Sequence, residues 1–573
     1  MSWIIKNYLK ETRENETGAQ CYPPGLRHSV AFIYPNVYHL GMSNLGMHIL
    51  YQLINARSDS ACERFFLPDK KLQQEHIKSK TPLLSIESGR ALADFDVIFV
   101  MMSFEMDYDN LMTVLDLGNV KLRAAERNAR EPLVVIGGPC ATFNPEPLAA
   151  VADAFVIGEG EETVQHILDE IYAKDSKEER MLALAQLPGV YVPRFYTAQY
   201  DDEGEFAGLQ AAAGVPQTVA RQWVRDIDAF PHTSAIVTSG TEFEDMYIVE
   251  VARGCGRHCR FCMAGYCFRK PRPRALEAIL ADIAKRPERT KKVGLMGAAV
   301  SDHPQMAELT EYLVEHKIPF SVASMRADML TEQIAHALAL SGQRTMTVAP
   351  EAGSERMRAA INKGITEQHV YDAIELAAGA GMRNIKLYYM IGLPGEEDED
   401  IVETVEMIKR IRAKMDRSEA VGNKGELVIS VNGFVPKPFT PYQWSPLCNV
   451  RTLKQRFKML NDGLKKDRRI KLITESLKET VVQSVLARGD RRIGEALLEA
   501  HESGRNLKQV LKARGIDAEE LAERELVVGK PLPWQHLDMG VTEKYLALEL
   551  ERSKGGKFTP MCFDGCKRCG VCG

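Results

Sequence analysis

Cys255, Cys259 and Cys262 lie in the run Val-Ala-Arg-Gly-Cys-Gly-Arg-His-Cys-Arg-Phe-Cys, a C-x3-C-x2-C spacing. A cubane 4Fe–4S cluster has four irons and normally takes four thiolates. Three clustered thiolates leave one iron open to a small molecule. The competing chemistry is a zinc site or a set of buried apolar thiols. A structural zinc site wants four ligands, commonly as two separated pairs, and Cys267 is the nearby candidate for a fourth. A second group, Cys562, Cys566, Cys569 and Cys572, falls within eleven residues. It is too compact for a zinc ribbon and predicts an auxiliary 4Fe–4S cluster. Redox-active thiols in a disordered tail, or a metal site completed by another residue, are the alternatives.

Composition narrows the class. A chain of 573 residues suggests about three or four domains. Hydrophobic residues at 45% and charged residues at 26% fit a water-soluble globular protein. A net charge of −5 provides no global basic field for nucleic acid. No apolar run approaches the ~18 residues of a membrane span, and the first residues are too polar for a signal peptide. Seven of the 12 cysteines fall in the two groups, which predicts a reducing cytoplasm rather than a disulfide framework. Exposed iron–sulfur clusters suggest anaerobic working conditions.

Around these groups the apolar runs alternate with helical patterns, the sign of parallel α/β sheets. Strands are expected at 30–34, 97–101, 133–136 and 154–157, and ligands in such sheets bind beyond the carboxyl ends of the strands. A turn-rich bridge follows at 171–240. Six further strands, at 246–252, 293–296, 320–323, 345–349, 385–390 and 427–431, predict a partial (β/α)6 barrel over 241–447. Its chemistry belongs on the loops after the strands. Three prolines at 436, 438 and 441 favour an extended wall whose aromatics line a cavity or pack on the next domain. Residues 448–550 read as a charged helical domain. Its basic stretches, 452–469 and 488–492, are either solvated faces or phosphate contacts. Residues 551–573 form the cysteine-rich tail.

The C-x3-C-x2-C run with Phe261 before its third cysteine resembles the signature of the radical S-adenosylmethionine (SAM) superfamily. That resemblance implies SAM bound to the open iron and reductive cleavage of SAM to a 5′-deoxyadenosyl radical. It implies further SAM contacts at Gly294 and Gly297 after the second barrel strand, and at Ser324 and Arg326 after the third. An arginine fork suits a carboxylate. Glu351 would meet the ribose or amino group, and Gly392 with Pro394 the adenine. The pieces 137–147 and 156–163 resemble the cobalamin-binding domain that precedes many radical SAM cores. Gly137, Gly138, Gly158 and Gly160 would then let backbone approach the macrocycle. The Asp-x-His-x-x-Gly motif is missing, and a ligand-free Rossmann-like domain over 1–170 is the alternative. Together these features resemble a radical SAM family with an N-terminal cobalamin-binding-like domain and a cysteine tail. Its shared strings occur here at 34–46, 434–438, 533–538 and 562–572.

The leading expectation is a radical SAM enzyme, cobalamin-dependent, that methylates an unactivated carbon. The second is sulfur insertion or methylthio transfer using the auxiliary cluster. The third is a non-catalytic iron–sulfur protein for electron transfer or sensing. A reductase such as flavodoxin or ferredoxin is the expected partner. RNA, peptide and small molecule all stay open as substrate, and no membrane is expected. Tyr388, Tyr389 and Cys267 are candidates to relay a radical or simply to pack.

Overall fold

The computed structural model describes residues 2–23, 25–417 and 425–572. Its first sheet orders β1 (His28–Tyr34), β2 (Ser60–Phe66), β3 (Val97–Met101), β4 (Leu133–Gly137), β5 (Ala154–Val156) and β6 (Val190–Tyr191) as β2-β1-β3-β4-β5-β6. All pair parallel except β6, which runs antiparallel. The strands are continuous apolar runs because helices cover both faces. Chain order reverses between β1 and β3, so the crevice of this doubly wound sheet opens after those two strands. There Asn44 caps helix α1 (Leu45–Asn55) by accepting from the Met47 amide. Its amide group also donates to Ser103. Through Leu45 and Ile49, α1 packs on Ile248, with Met246 and Met296 alongside.

Seven parallel strands build the second unit: β7 (Met246–Glu250), β8 (Lys292–Met296), β9 (Phe320–Val322), β10 (Thr345–Glu351), β11 (Asn384–Ile391), β12 (Leu427–Gly433) and β13 (Ile470–Thr474). They form sheets β7-β8-β9 and β10-β11-β12-β13, joined by a single Met325–Val348 bridge into one curved array. The seventh strand comes from a stretch expected to be helical. It follows helix α2 (Val450–Leu464) and pairs with the last expected barrel strand. Burial alternates strictly along β10 and β11. Met346, Val348, Leu387 and Tyr389 face the helices. Thr347, Lys386, Tyr388, Ser430 and Asn432 fall on the half-buried opposite face, which leaves the concave side of the array polar.

The remaining helices bind the two units together. The basic knot at 488–492 turns inward at Arg488 and Arg491, contrary to both readings of it, while Arg492 stays exposed beside Asp490. Arg488 is buried and donates to the carbonyls of Ser445, Ala522 and Arg524. Arg491 pairs with buried Glu146 and with the Tyr191 hydroxyl. The aromatics of the proline-rich wall, Phe434, Tyr442 and Trp444, are all buried, so they pack. Lys437 of that wall forms an ion pair with Glu105 in the first unit. Among the described residues no helix is long and apolar enough to cross a membrane.

His501, in helix α3 (Arg491–Ser503), bridges Asp109 and Asp116 of the first unit at 2.8 Å each. Hydrogen bonds to Asp109 and then Asp116 raise its pKa to about 9. The folded state therefore holds this proton more tightly than the unfolded chain. The clamp contributes fully below ~6.5, the ordinary histidine value, and is lost as the pH rises through about 9. Replacing His501 by Gln should lower the melting temperature at about pH 6 and change it less at about pH 10. Thermal scans at both pH values check this.

Candidate active site

The three cysteines sit on a lasso thrown from the end of β7. Ala252–Arg253 pairs antiparallel with Arg272–Pro273 and closes its neck. Gly254 has φ +78°, and a Cβ there would lie 2.1 Å from the Phe268 carbonyl oxygen. Only glycine permits that closure. Within the lasso the Cys262 amide donates to the Cys259 carbonyl at 3.1 Å, and the Arg257 amide points at the Cys255 sulfur at 3.4 Å. Burial, then the neighbouring Cys259 and Cys255, push the Cys262 thiol up to about 12. Burial is also the main cause of the rise at Cys255, where the Arg257 amide opposes it. Burial and neighbouring thiols thus oppose ionisation of Cys255 and Cys262, and nearby positive charge would favour it. Among the described residues no three of His, Cys, Asp and Glu converge to hold a single metal ion. A cubane sets its cysteine sulfurs on separate irons, and that donor pattern suits the lasso.

Charged side chains from successive strand ends surround the lasso. Arg257 forks onto both oxygens of Asp302, each at 2.9 Å, and reaches Asp328 at 3.7 Å. Arg326 forks onto Asp328 at 3.0 Å and donates to the Lys363 carbonyl at 3.1 Å. Lys363 donates to Glu351 at 3.0 Å and lies 5.9 Å from the centre of the Phe261 ring. Burial opposes the charge on Lys363, but Glu351 and Cys259 outweigh it and its pKa is raised. Asp328 is lowered in the same way, its arginine partners outweighing burial. Glu351 ends β10 at φ +69°. A non-glycine residue held in that region marks a position whose geometry the surroundings impose.

Two outside regions grip the lasso. Glu159 and Glu161 of the first unit pair with Arg253, and Glu159 also pairs with Arg272. Both sides of the neck are thus held from the loop after β5. From the far side come helix α4 (Glu543–Lys554) and the tail. Glu549 and Arg260 form a fully buried pair at 3.1 Å. His258 contacts the Tyr545 hydroxyl, the Arg269 guanidinium and, at 3.6 Å, the Cys562 sulfur. Burial, then Arg269, lower its pKa to about 2, so the imidazole is neutral. The Cys562 thiol is raised by burial, lowered by Arg269, and raised again by Cys566, Cys569 and Cys572. Cys562 therefore feels the other three tail thiols. At Cys566 burial works upward, yet the Arg568 guanidinium, 3.2 Å from the sulfur, brings the net shift below the usual thiol value.

Two sequence profiles match the chain: radical SAM proteins, N-terminal, over residues 46–193, and the radical SAM superfamily over residues 249–408. Together they span more than half of it. The chain belongs to the radical SAM superfamily. Members of this family use SAM and a 4Fe–4S cluster, and this chain is a radical SAM enzyme. An uncharacterised protein of Methanocaldococcus jannaschii is 28% identical over 82% of this chain and 90% of its own length. A tRNA-2-methylthio-N(6)-dimethylallyladenosine synthase of Chromohalobacter salexigens is 24% identical over 32% of this chain, which spans only 44% of that enzyme. Among solved structures, the radical SAM methyltransferase TsrM of Kitasatospora setae, with cobalamin and a [4Fe–4S] cluster bound, has a TM-score of 0.48 at 14% identity. That match covers 71% of this chain and 75% of TsrM.

In the radical SAM core the expected residues divide into two groups. Phe261, Arg326 and Glu351 join the lasso, as described. Gly297 follows β8, and a Cβ there would lie 2.7 Å from the Ala252 carbonyl oxygen at the neck. Ser324 is exposed after β9. Gly294 is inside β8, not after it, and the Met246 side chain occupies its missing Cβ position. Gly392 makes room for Leu453 and Cys448, and its amide donates to Glu396, whose carboxylate pairs with Arg456. Pro394 is half-buried beside it. Cys267 and Tyr389 are buried in the apolar core and pack, whereas Tyr388 lies on the polar concave face.

The glycines of the first unit meet protein. Gly158 pairs with Gln222 of the bridge, whose carbonyl oxygen would be 2.1 Å from a Cβ. Gly138 lies against the Met102 backbone. Gly137 and Gly160 make ordinary contacts with Val156 and with Leu50 and Val164. These glycines therefore do not furnish an open bed for a macrocycle. The crevice after β1 and β3, with Asn44, Ser103 and the exposed Phe104, was not singled out from sequence. Strand order is the only signal that locates it, and strand order is not written in local motifs. The carboxylates Glu159 and Glu161 were also missed, although they lie between and beside the chosen glycines. Replacing Glu159 by Ala leaves Arg253 and Arg272 short of a partner in the interior, which should cost about 3–5 kcal/mol of stability. It should also reduce iron uptake at the lasso. Denaturant unfolding and iron analysis measure the two effects.

Proposed function

We propose that Cys255, Cys259 and Cys262 hold the 4Fe–4S cluster and that the surrounding charged residues hold SAM. One observation carries this reading: the three cysteines of one lasso meet ion pairs from three successive strand ends. Lys363 and Arg326 offer cations to the SAM carboxylate, while Glu351 and Asp328 offer acceptors to its ammonium group or ribose hydroxyls. When bound, the cluster supplies the single electron that cleaves SAM to methionine and a 5′-deoxyadenosyl radical. Phe261 and the buried wall of Phe434 and Tyr442 exclude water on one side. The polar concave face, with Thr347, Lys386, Tyr388, Ser430 and Asn432, is where a substrate carbon would be presented.

The group transferred is methyl or methylthio. Cobalamin-dependent methylation places the macrocycle in the crevice after β1 and β3, which faces the barrel through α1, rather than at the four glycines. The named activity of the Chromohalobacter relative, together with four further cysteines beside the lasso, supports the sulfur chemistry as the second reading.

After anaerobic reconstitution with iron, sulfide and hydroxocobalamin, the protein should hold about eight irons. The triple change of Cys255, Cys259 and Cys262 to Ala should remove about four of them and abolish 5′-deoxyadenosine formation. Bound cobalt supports methylation. Its absence together with about eight irons supports sulfur transfer.

A further inference from the structure

We propose that His258 and Cys562 form an electron bridge, so that reducing electrons reach the lasso through the cysteine tail. This rests on the reading that both cysteine groups hold 4Fe–4S clusters. The tail does not merely lie near the lasso. The Cys562 amide donates to the Gly256 carbonyl at 2.8 Å, between Cys255 and Cys259. A Cβ on Gly256 would be 3.4 Å from that of Cys562. The Cys562 sulfur touches the His258 ring at 3.6 Å, and His258 immediately precedes Cys259. A short path of bonds and one contact therefore runs from a tail ligand to a lasso ligand.

The contact is held from both sides. The Asn362 side chain donates to the carbonyls of His258 and Thr559 and accepts from the Thr559 amide at 2.8 Å. Tyr545 and Arg269 fix the imidazole. A latch alone would need only the Arg260–Glu549 pair. One imidazole is held rigidly against the Cys562 thiol, one residue before Cys259, and that serves coupling.

The outer face of the tail suits a donor. Phe558, Met561 and Phe563 are 66%, 47% and 65% exposed. Between residues 551 and 572 there are five basic side chains against two acidic ones. An apolar patch with a basic rim fits an acidic one-electron carrier protein of the flavodoxin or ferredoxin type. The carrier loses one electron, which crosses the Cys562–His258 contact. SAM gains it, and the carbon–sulfur bond to the deoxyadenosyl group breaks into methionine and a carbon radical. The relay itself moves no proton.

The test uses the reconstituted full chain. Reduced wild-type protein should hold about eight irons, and its electron paramagnetic resonance should show two signals broadened by mutual spin coupling. The double variant Phe563→Ser with Lys567→Glu should keep that iron content and its SAM cleavage driven by titanium citrate. Its flavodoxin-driven cleavage should fall roughly tenfold through a raised KM for flavodoxin. Uncoupled signals with about eight irons overturn the bridge and leave the tail cluster standing. An unchanged flavodoxin-driven rate overturns passage of electrons through the tail. A wild-type content of about four irons overturns the tail cluster itself.

Discussion

Six arginines between residues 253 and 274 carry charge into the interior beside three thiols, and the architecture is arranged to meet that demand. A guanidinium does not lose its proton on burial, so each one needs carboxylates or carbonyls at close range. No single unit of this chain supplies enough of them. Glu250 comes from the strand that leads into the lasso, Glu159 and Glu161 from the first unit, Asp302 from the barrel and Glu549 from helix α4. Backbone carbonyls of residues 227, 359 and 360 complete the set. The lasso is therefore the point at which all parts of the molecule are fastened together.

Much of this was legible in the sequence, and the failures share one cause. The cysteine spacing and the apolar runs found the lasso and most of the strands, though not β2, β6 or β13, because ligand spacing and periodicity are local properties. The glycines of the first unit were read as room for a cofactor. At Gly158 that room is taken by the chain itself, the backbone at Gln222. A glycine reports that something approaches closely, and only the tertiary structure says what approaches. Strand β13 was hidden inside a charged, helix-rich stretch because a short half-exposed edge strand leaves a weak pattern. The basic knot at 488–492 looked like surface, yet Arg488 is spent on carbonyls and Arg491 on Glu146, and only Arg492 stays exposed.

The concave side of the barrel departs from the usual filled interior. Closed eight-stranded barrels pack apolar layers inside. Here seven strands leave the array open, and Lys386, Tyr388, Ser430 and Asn432 line it instead. Tyr388 is steadied by Lys386, whose ammonium lies 4.8 Å from the ring centre. Polar groups on that face favour contact with water or a polar ligand over apolar filling.

The grip of helix α4 and the tail on the lasso also imposes an order of events during synthesis. The Tyr545 and Glu549 contacts close over 287 and 289 residues of chain. Ribosomes add about 5–20 residues per second. The lasso cysteines therefore wait many seconds, unburied, before their last partners emerge. During that interval the lasso is open to solvent, and the later arrival of α4 closes over it. Its closure is timed by translation.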